Sequence, residues 1–228
     1  MKALVRKKLS DEVADRLEEM IREELYPEGS TLPPERELME LFGVGRPSIR
    51  EALYALELKG LVKINSGERP RVTRPTPEHL LRSLSGSANL LLTQPRGVEH
   101  FDEARLFMEM GLARRSAEMA TEAQIQELEA ALQENRGHIG KARAFAVSDV
   151  GFHRRLALVV GNPIFVAMHE ALVDWLISQR PLPADPVTAN RQSFEEHEAV
   201  FQAIQGRDPD GASTAMRQHL ENAQKKYR

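Results

Sequence analysis

No cysteine occurs among the 228 residues, so neither a disulfide nor a thiolate metal site is available. The lack of disulfides is compatible with a reducing compartment, and the cytoplasm is the expected location. Aromatic residues make up only 5% of the chain, which argues against stacking on the bases of single-stranded nucleic acid. No apolar run approaches the roughly 18 residues of a membrane span. Met1–Lys8 is basic, but no apolar core of a signal peptide comes after it. Nor is either charge sign in large excess: 31 Lys and Arg against 34 Asp and Glu leave a net −3. A hydrophobic fraction of 41% and a charged fraction of 29% suit a soluble globular protein of one or two domains.

The most informative stretch runs from Leu32 to Leu61, LPPERELMELFGVGRPSIREALYALELKGL. It reads as two short helices joined by a tight turn. Pro34 can open the first, because the opening turn of a helix does not need its N–H. Leu38, Leu41 and Phe42 share one side of that helix, and Gly43 ends it. The second helix starts near Gly45–Arg46, with Ile49, Leu53, Leu56 and Leu58 as its apolar stripe, and Gly60 stops it. Arg46 and Arg50 stand four apart in its leading turn, on one face. That is the geometry of a helix-turn-helix, whose second helix enters the major groove N-terminus first. Two short helices alone are equally an ordinary helical hairpin.

Residues 61–74 favour DNA. Leu61–Ile64 alternates as a strand, Asn65–Glu68 is a turn cluster and Arg69–Thr73 alternates again. A hairpin directly behind the second helix makes a winged helix-turn-helix. Ser66 and Gly67 at its tip are small enough to approach a groove, with Arg69, Arg71 and Arg74 behind them for phosphates. Through Pro75 the chain has 14 Lys and Arg against 14 Asp and Glu, so DNA binding rests on placement rather than net charge. The basic residues bunch at Lys2–Lys8, at Arg46 and Arg50, and at Arg69–Arg74. Upstream, Ser10–Leu25 is an amphipathic helix. Ser10 is the expected cap, and Val13, Leu17, Met20 and Ile21 are its buried stripe.

The segments ERELMELFGVGRPSIREAL, LELKGLVKI and the Ser66–Gly67 tip resemble the DNA-binding half of GntR-type bacterial transcription regulators. One departure is Pro34, where that family usually has a capping serine. The resemblance implies base and phosphate contacts by Arg36, Arg46, Arg50, Ser66 and Gly67.

Arg74-Pro75-Thr76-Pro77 marks the expected domain boundary, dividing residues 1–75 from 76–228. Everything beyond it reads helical: Pro77–Leu92, Val98–Met119, Glu122–Arg136, Lys141–Val160, Pro163–Gln179, Arg191–Gln205 and Pro209–Tyr227. The fold class is therefore mostly α: an N-terminal winged helix-turn-helix followed by a C-terminal antiparallel all-α bundle. Within that bundle Asp149 and His153, at i and i+4, lie on the apolar stripe of their helix. His197 and His219 lie on or beside the apolar stripes of two others. A buried carboxylate must be paired or bind a cation. One Asp and three His without Cys make an oxygen–nitrogen site for a divalent metal: zinc first, nickel or manganese as alternatives. His79, His100, His138 and His169 lack this arrangement and read as structural or surface residues.

SDVGFHRRLALVVGNPIF, EEHEAVFQAIQGRDPDGA and MRQHL resemble the three signature segments of the FCD effector domain, which succeeds the wing in one GntR subfamily. The resemblance implies that Asp149, His153, His197 and His219 hold a divalent ion in the bundle core. It also places an arginine, here Arg105, where it would face an effector carboxylate. INSGERPRVTRP, LLRSLSG and GNPIF with DWL are similar to members in enteric bacteria that respond to sialic acid. The expected protein is then a homodimeric, ligand-responsive repressor with double-stranded operator DNA as partner. Its effector would be a small carboxylate, with N-acetylneuraminate as the specific candidate. Two other readings stand beside it. One is a metal-dependent hydrolase with an appended DNA-binding domain, against which no in-facing Glu or Asp is evident near Asp149 or His153 to act as general base. The other is an architectural DNA-binding protein with an inert bundle, against which the buried polar set speaks.

Overall fold

The computed structural model describes residues 7–177 and 185–226. The chain divides into two compact units, one ending at Ser83 and the other beginning at Leu84.

The first unit opens with α1 (Leu9–Arg22), α2 (Glu35–Phe42) and α3 (Arg46–Leu58). α1 and α2 both lie against α3, and Val13, Leu17, Leu38, Ile49, Leu53 and Leu56 close the core between them. Gly43 ends α2 at φ +64, a left-handed conformation that glycine adopts without strain. Gly45 caps α3 in an extended conformation. The hairpin behind α3 is short: β1 (Val62–Lys63) pairs antiparallel with β2 (Arg71–Val72), Val62 opposite Val72. Thr31 adds a bridge to Arg71, so the loop before α2 supplies a third edge that the sequence did not reveal. Three expectations from the sequence are corrected. α1 starts at Leu9 after a Lys8 cap, so Ser10 is a buried helical residue rather than the cap. Leu41 and Leu58, assigned to apolar stripes, are 57% and 55% exposed. Each lies at the flank of its stripe, and these helices are too short to bury a wide one.

α4 (Pro77–Ser83) belongs to this unit, so the unit ends later than the prolines suggest. The reason is His79. Its Nε2 lies 3.1 Å from the Leu58 carbonyl at the end of α3, and its ring packs on Gly60. Gly60 sits at φ +71, and a Cβ there would lie 2.6 Å from His79 Cδ2.

Among the described residues of the second unit, the regular elements are all helices. It contains α5 (Ser85–Leu92), α6 (Gly97–Met119), α7 (Glu122–Gly137), α8 (Ala142–Val160), α9 (Pro163–Ile177), α10 (Pro186–Gln205) and α11 (Pro209–Lys226). The single helix expected over Pro77–Leu92 is broken at Leu84 into α4 and α5. Gln179 and Tyr227, expected helix ends, lie outside the described residues. α6 is the hub: α8, α9, α10 and α11 all pack on it. The core is built from Leu112, Leu128, Phe152, Leu156, Phe201, Ile204 and Met216 with many alanines. Alanines at Ala113, Ala117 and Ala157, all 0% exposed, let the helices approach closely.

Gly60→Ala should lower the stability of the first unit by about 1–3 kcal/mol, from left-handed strain plus the clash with His79. In the Gly60→Ala/His79→Ala double variant the clash disappears and only the backbone strain remains. Urea unfolding of the two single variants and the double variant separates the two contributions; strictly additive losses would show that the ring and the glycine do not meet.

Candidate functional site

On the first unit, the exposed start of α3 carries Arg46 and Arg50, whose side chains are 59% and 65% exposed. Both point their Nε at one carboxylate, Glu35 at the start of α2, at 3.4 and 2.9 Å. Glu35 thus gathers the two guanidinium groups into one fork. Exposed ion pairs of this kind contribute only about 0–1 kcal/mol, so a stronger acceptor can displace the carboxylate. Arg36, on the next position of α2, is exposed and bonded to Glu40 at 3.2 Å. At the hairpin tip Asn65 and Glu68 close the turn, with Asn65 Nδ2 donating to Glu68 Oε2 at 2.8 Å. Gly67 there adopts φ +79 with open space around it, and Ser66 beside it is exposed. Ile64 N–H donates to Glu57 of α3 at 2.9 Å, which fixes the hairpin to that helix. A groove between α3 and the hairpin is lined by Arg50, Tyr54, Gly67 and Arg69. Arg71 differs from expectation in part: it is exposed, but its Nη1 donates to the Gly29 carbonyl at 2.5 Å.

In the second unit the four residues singled out from sequence come together. Asp149 and His153 rise from one face of α8, His197 from α10 and His219 from α11. One ligand atom from each lies within 4.8 Å of all the others. The three histidines are 3% exposed or less, while the Asp149 side chain keeps 25% exposure and forms the open side. His197 Nε2 is 3.4 Å from Asp149 Oδ1.

The protonation pattern is set by what each Nδ1 faces. His153 Nδ1 meets Glu109 Oε2, and His219 Nδ1 meets Glu196 Oε2 at 3.0 Å. His197 Nδ1 meets the Asn135 Oδ1 at 3.2 Å. The Asn135 orientation is set by its Nδ2, which donates to Ser148 Oγ and the Phe145 carbonyl. All three partners are acceptors, so each Nδ1 carries the proton and each Nε2 presents a lone pair. Those Nε2 atoms face one another: His219 Nε2 is 3.2 Å from both His153 Nε2 and His197 Nε2. Three lone pairs with no hydrogen between them repel unless a cation stands among them. Nitrogens bound at roughly 2.0–2.1 Å in a tetrahedral zinc site lie about 3.3 Å apart, so the spacing fits a divalent metal. Burial first, then the neighbouring imidazoles, push the His197 pKa well below its ordinary value. Burial also outweighs Glu196 at His219, whose pKa is lowered. Neutral rings are what metal coordination requires.

Glu109 overturns the expectation that no acidic group stands near His153. It is 1% exposed on α6, and Glu196 stands within hydrogen-bond reach of His219. Burial opposes its ionisation, yet the Arg105 guanidinium and His153 outweigh that and hold the carboxyl well below the usual range. Arg105, expected to face an effector, is 6% exposed and donates its Nε to Glu109. Glu109 was hidden because α6 buries charge on one face: Asp102, Arg105 and Glu109 face in, while Phe107 is 85% exposed. Their i, i+3, i+7 spacing continues into buried Leu112, Ala113 and Ser116, the one signal that would have marked that face as internal. His169, read as structural or surface, is 0% exposed beside this network, whereas His100 is exposed.

Comparison with known proteins agrees with both halves. Residues 9–72 match the profile described as bacterial regulatory proteins, gntR family, and residues 102–222 match the FCD domain. The chain is 50% identical over 219 residues to the HTH-type transcriptional repressor NanR of Enterobacter sp. (strain 638), covering 95% of this chain and 84% of that one. The NanR of Escherichia coli (strain K12 / DH10B) is also 50% identical over 219 residues, with 95% and 83% covered. Among solved structures, Streptococcus agalactiae GntR superposes with a TM-score of 0.62 at 25% identity, covering 95% of this chain and 99% of its own. The relatives are regulators, not enzymes, and the hydrolase reading finds no support among them. A helix-turn-helix carrying paired arginines, succeeded by a bundle closing on three histidines, is thus accounted for: the chain belongs to the gntR family of bacterial regulatory proteins, in its FCD-containing branch.

Proposed function

We propose that the protein is a ligand-responsive transcriptional repressor that releases operator DNA when a small carboxylate binds at a metal in its second unit. The observation that carries this reading is the convergence of three proton-free Nε2 atoms beside the half-open Asp149 carboxylate. Asp149, His153, His197 and His219 would hold the ion, zinc first, nickel or manganese otherwise. An ion taking five or six ligands would supply a Lewis-acid centre with one or two positions, beyond those four, for a carboxylate oxygen. Three neutral imidazoles and one carboxylate leave such a divalent site with about one positive charge, which favours an acid over a neutral sugar. Likeness to sialic-acid-responsive regulators makes N-acetylneuraminate the specific candidate. Arg105 enters through Glu109: it keeps that carboxylate ionised, and the carboxylate orients His153.

On DNA, Arg46 and Arg50 would leave Glu35 for base edges. Arg36, Ser66, Gly67 and Arg71 would contact phosphates and the groove. A two-fold homodimer would let two such units read paired half-sites, and sedimentation at micromolar concentration tests it. Exposed Phe107 and Val147, at 85% and 74%, offer the second unit apolar surface for pairing. In electrophoretic titrations Arg46→Ala should cost about 1–3 kcal/mol of operator affinity. Arg71→Ala should weaken binding to every sequence and flatten its salt dependence. Wild-type affinity in Arg46→Ala would remove α3 as the reading helix.

Chelation should lower the melting temperature, because an ion bound only to the folded state at about 1,000 times its Kd adds about 4 kcal/mol. His219→Ala should abolish most of that shift. Equal metal content in wild type and His153→Ala/His219→Ala, by elemental analysis, would refute the site.

Calorimetry of the metal-loaded protein with N-acetylneuraminate, gluconate, malate and citrate tests the effector. N-acetylneuraminate should bind, lose its binding on chelation, and weaken operator affinity. Binding that survives complete metal removal would end the metal-anchored reading; preference for malate or citrate would end only the choice of sialic acid.

A further inference from the structure

His169, midway along α9, is fully buried, and both of its ring nitrogens lack a hydrogen-bond partner. Among the described residues no other buried imidazole is so placed. His153, His197 and His219 each have Nδ1 on an acceptor and turn Nε2 toward the shared centre. A polar ring without partners destabilises a core that a leucine would fill without penalty. No protein group satisfies this ring, so its bonds fall to a water or to a bound ligand.

Its position indicates what. The ring lies nearly parallel to that of His153, 18° apart in plane and 6.3 Å between centroids. Its Nδ1 is 3.7 Å from Glu109 Oε1, too far for a hydrogen bond, while the other Glu109 oxygen bonds His153. His169 therefore stands one ring away from a proposed metal ligand, against the same carboxylate. A fully buried imidazole with no ionic partner in hydrogen-bond reach is neutral, and a neutral ring offers one donor and one acceptor. A neutral ring of that kind matches a hydroxyl or an amide, each of which both donates and accepts. A carboxylate, which only accepts, suits it less well.

We infer that His169 is a recognition residue of the effector site, contacting a hydroxyl or amide group of an acid whose carboxylate is held at the neighbouring centre. The inference rests on the effector reading proposed above and narrows it. The ligand is an acid with hydrogen-bonding groups beyond its carboxylate, long enough to pass from one imidazole to the next. Short aliphatic acids such as acetate can fill the carboxylate position but cannot reach the ring.

The test is calorimetry on the full-length, metal-loaded protein and its His169→Leu and His169→Gln variants, with N-acetylneuraminate, gluconate and acetate as probes. Elemental analysis and thermal melting of each variant accompany it. In His169→Leu, metal content should be unchanged and the ligand-free melting temperature equal or higher. The Kd for the sugar acid that binds wild type should rise at least about tenfold. His169→Gln, which keeps a donor and an acceptor, should lose less, and acetate should bind all three alike. An unchanged sugar-acid Kd in His169→Leu overturns the inference. So does a loss of metal, a lower melting temperature or an equal loss of acetate, each of which would assign the ring a ligating or structural role. Sugar-acid binding that survives chelation yet falls in His169→Leu keeps the inference and ends the metal anchoring. Metal-dependent binding indifferent to His169 does the reverse, and no binding of either sugar acid to wild type ends both.

Discussion

The second unit depends on three imidazoles whose Nε2 atoms point at one place. Nothing in an apolar bundle favours that arrangement by itself. It is imposed from behind, because each Nδ1 is pinned by an acceptor on another helix: Glu109 on α6, Asn135 on α7 and Glu196 on α10. The pins are themselves held. Arg105 bonds Glu109, Asn222 donates to Glu196 at 2.8 Å, and Ser148 accepts from Asn135 at 3.0 Å. Ring orientation is therefore fixed at two levels, and the convergence does not rely on flexible side chains. Outer partners of this sort govern the affinity and geometry of metal sites nearly as strongly as the ligands do.

Such a network is costly to bury. An arginine and a glutamate at 6% and 1% exposure are stabilising only if their geometry is good and their remaining polar atoms are bonded. Here the charges cancel within about one turn of α6, and Glu109 also accepts from His153. The destabilisation is offset by surrounding the cluster with close-packed apolar groups. Phe152 stacks on His197 at 4.8 Å, and Leu156, Ile204 and Met216 are fully buried in the same core. The low dielectric around the site makes the paired groups interact more strongly, and it makes any unpaired one, such as His169, more conspicuous.

How much of this is legible in the sequence varies with how local the cause is. The helices of both units come from apolar spacing and from breakers such as Gly43, Gly161 and Pro163, because those act within a turn or two. Asp149 and His153 are legible for the same reason: a polar pair at i, i+4 on an otherwise apolar stripe is a local contradiction. Glu109 and Arg105 are not legible as part of the site's support. In a helix that buries charge on one side and leaves Phe107 outside, the usual inside–outside signal is reversed, and only α8, α9 and α11 packing on it reveal which side is which. His169 escapes a sequence reading for a simpler reason. One histidine in an apolar helix looks alike whether its nitrogens are satisfied or not, and its missing partners are a fact of three dimensions. The α4–α5 break and the docking of His79 on Gly60 are likewise invisible, since that docking joins distant positions through a contact that no periodicity encodes.

The same tension between charge and partner shapes the DNA-reading end. Residues 1–75 carry as many acidic as basic groups, an unusual balance for a surface meant for phosphates. Glu35 explains part of it. By sitting between Arg46 and Arg50 it lowers the attraction of the α3 tip for any polyanion, and it holds both guanidinium groups in one fork. A phosphate that displaces the carboxylate exchanges one ionic partner for another and gains little. A guanine edge that accepts two hydrogen bonds in the geometry of the fork gains more. With Arg46 and Arg50 on base edges as proposed, the carboxylate would penalise non-specific contacts more than specific ones, and discrimination is a difference between those two. The balance of charge in residues 1–75 would then serve selectivity, at the expense of some raw affinity.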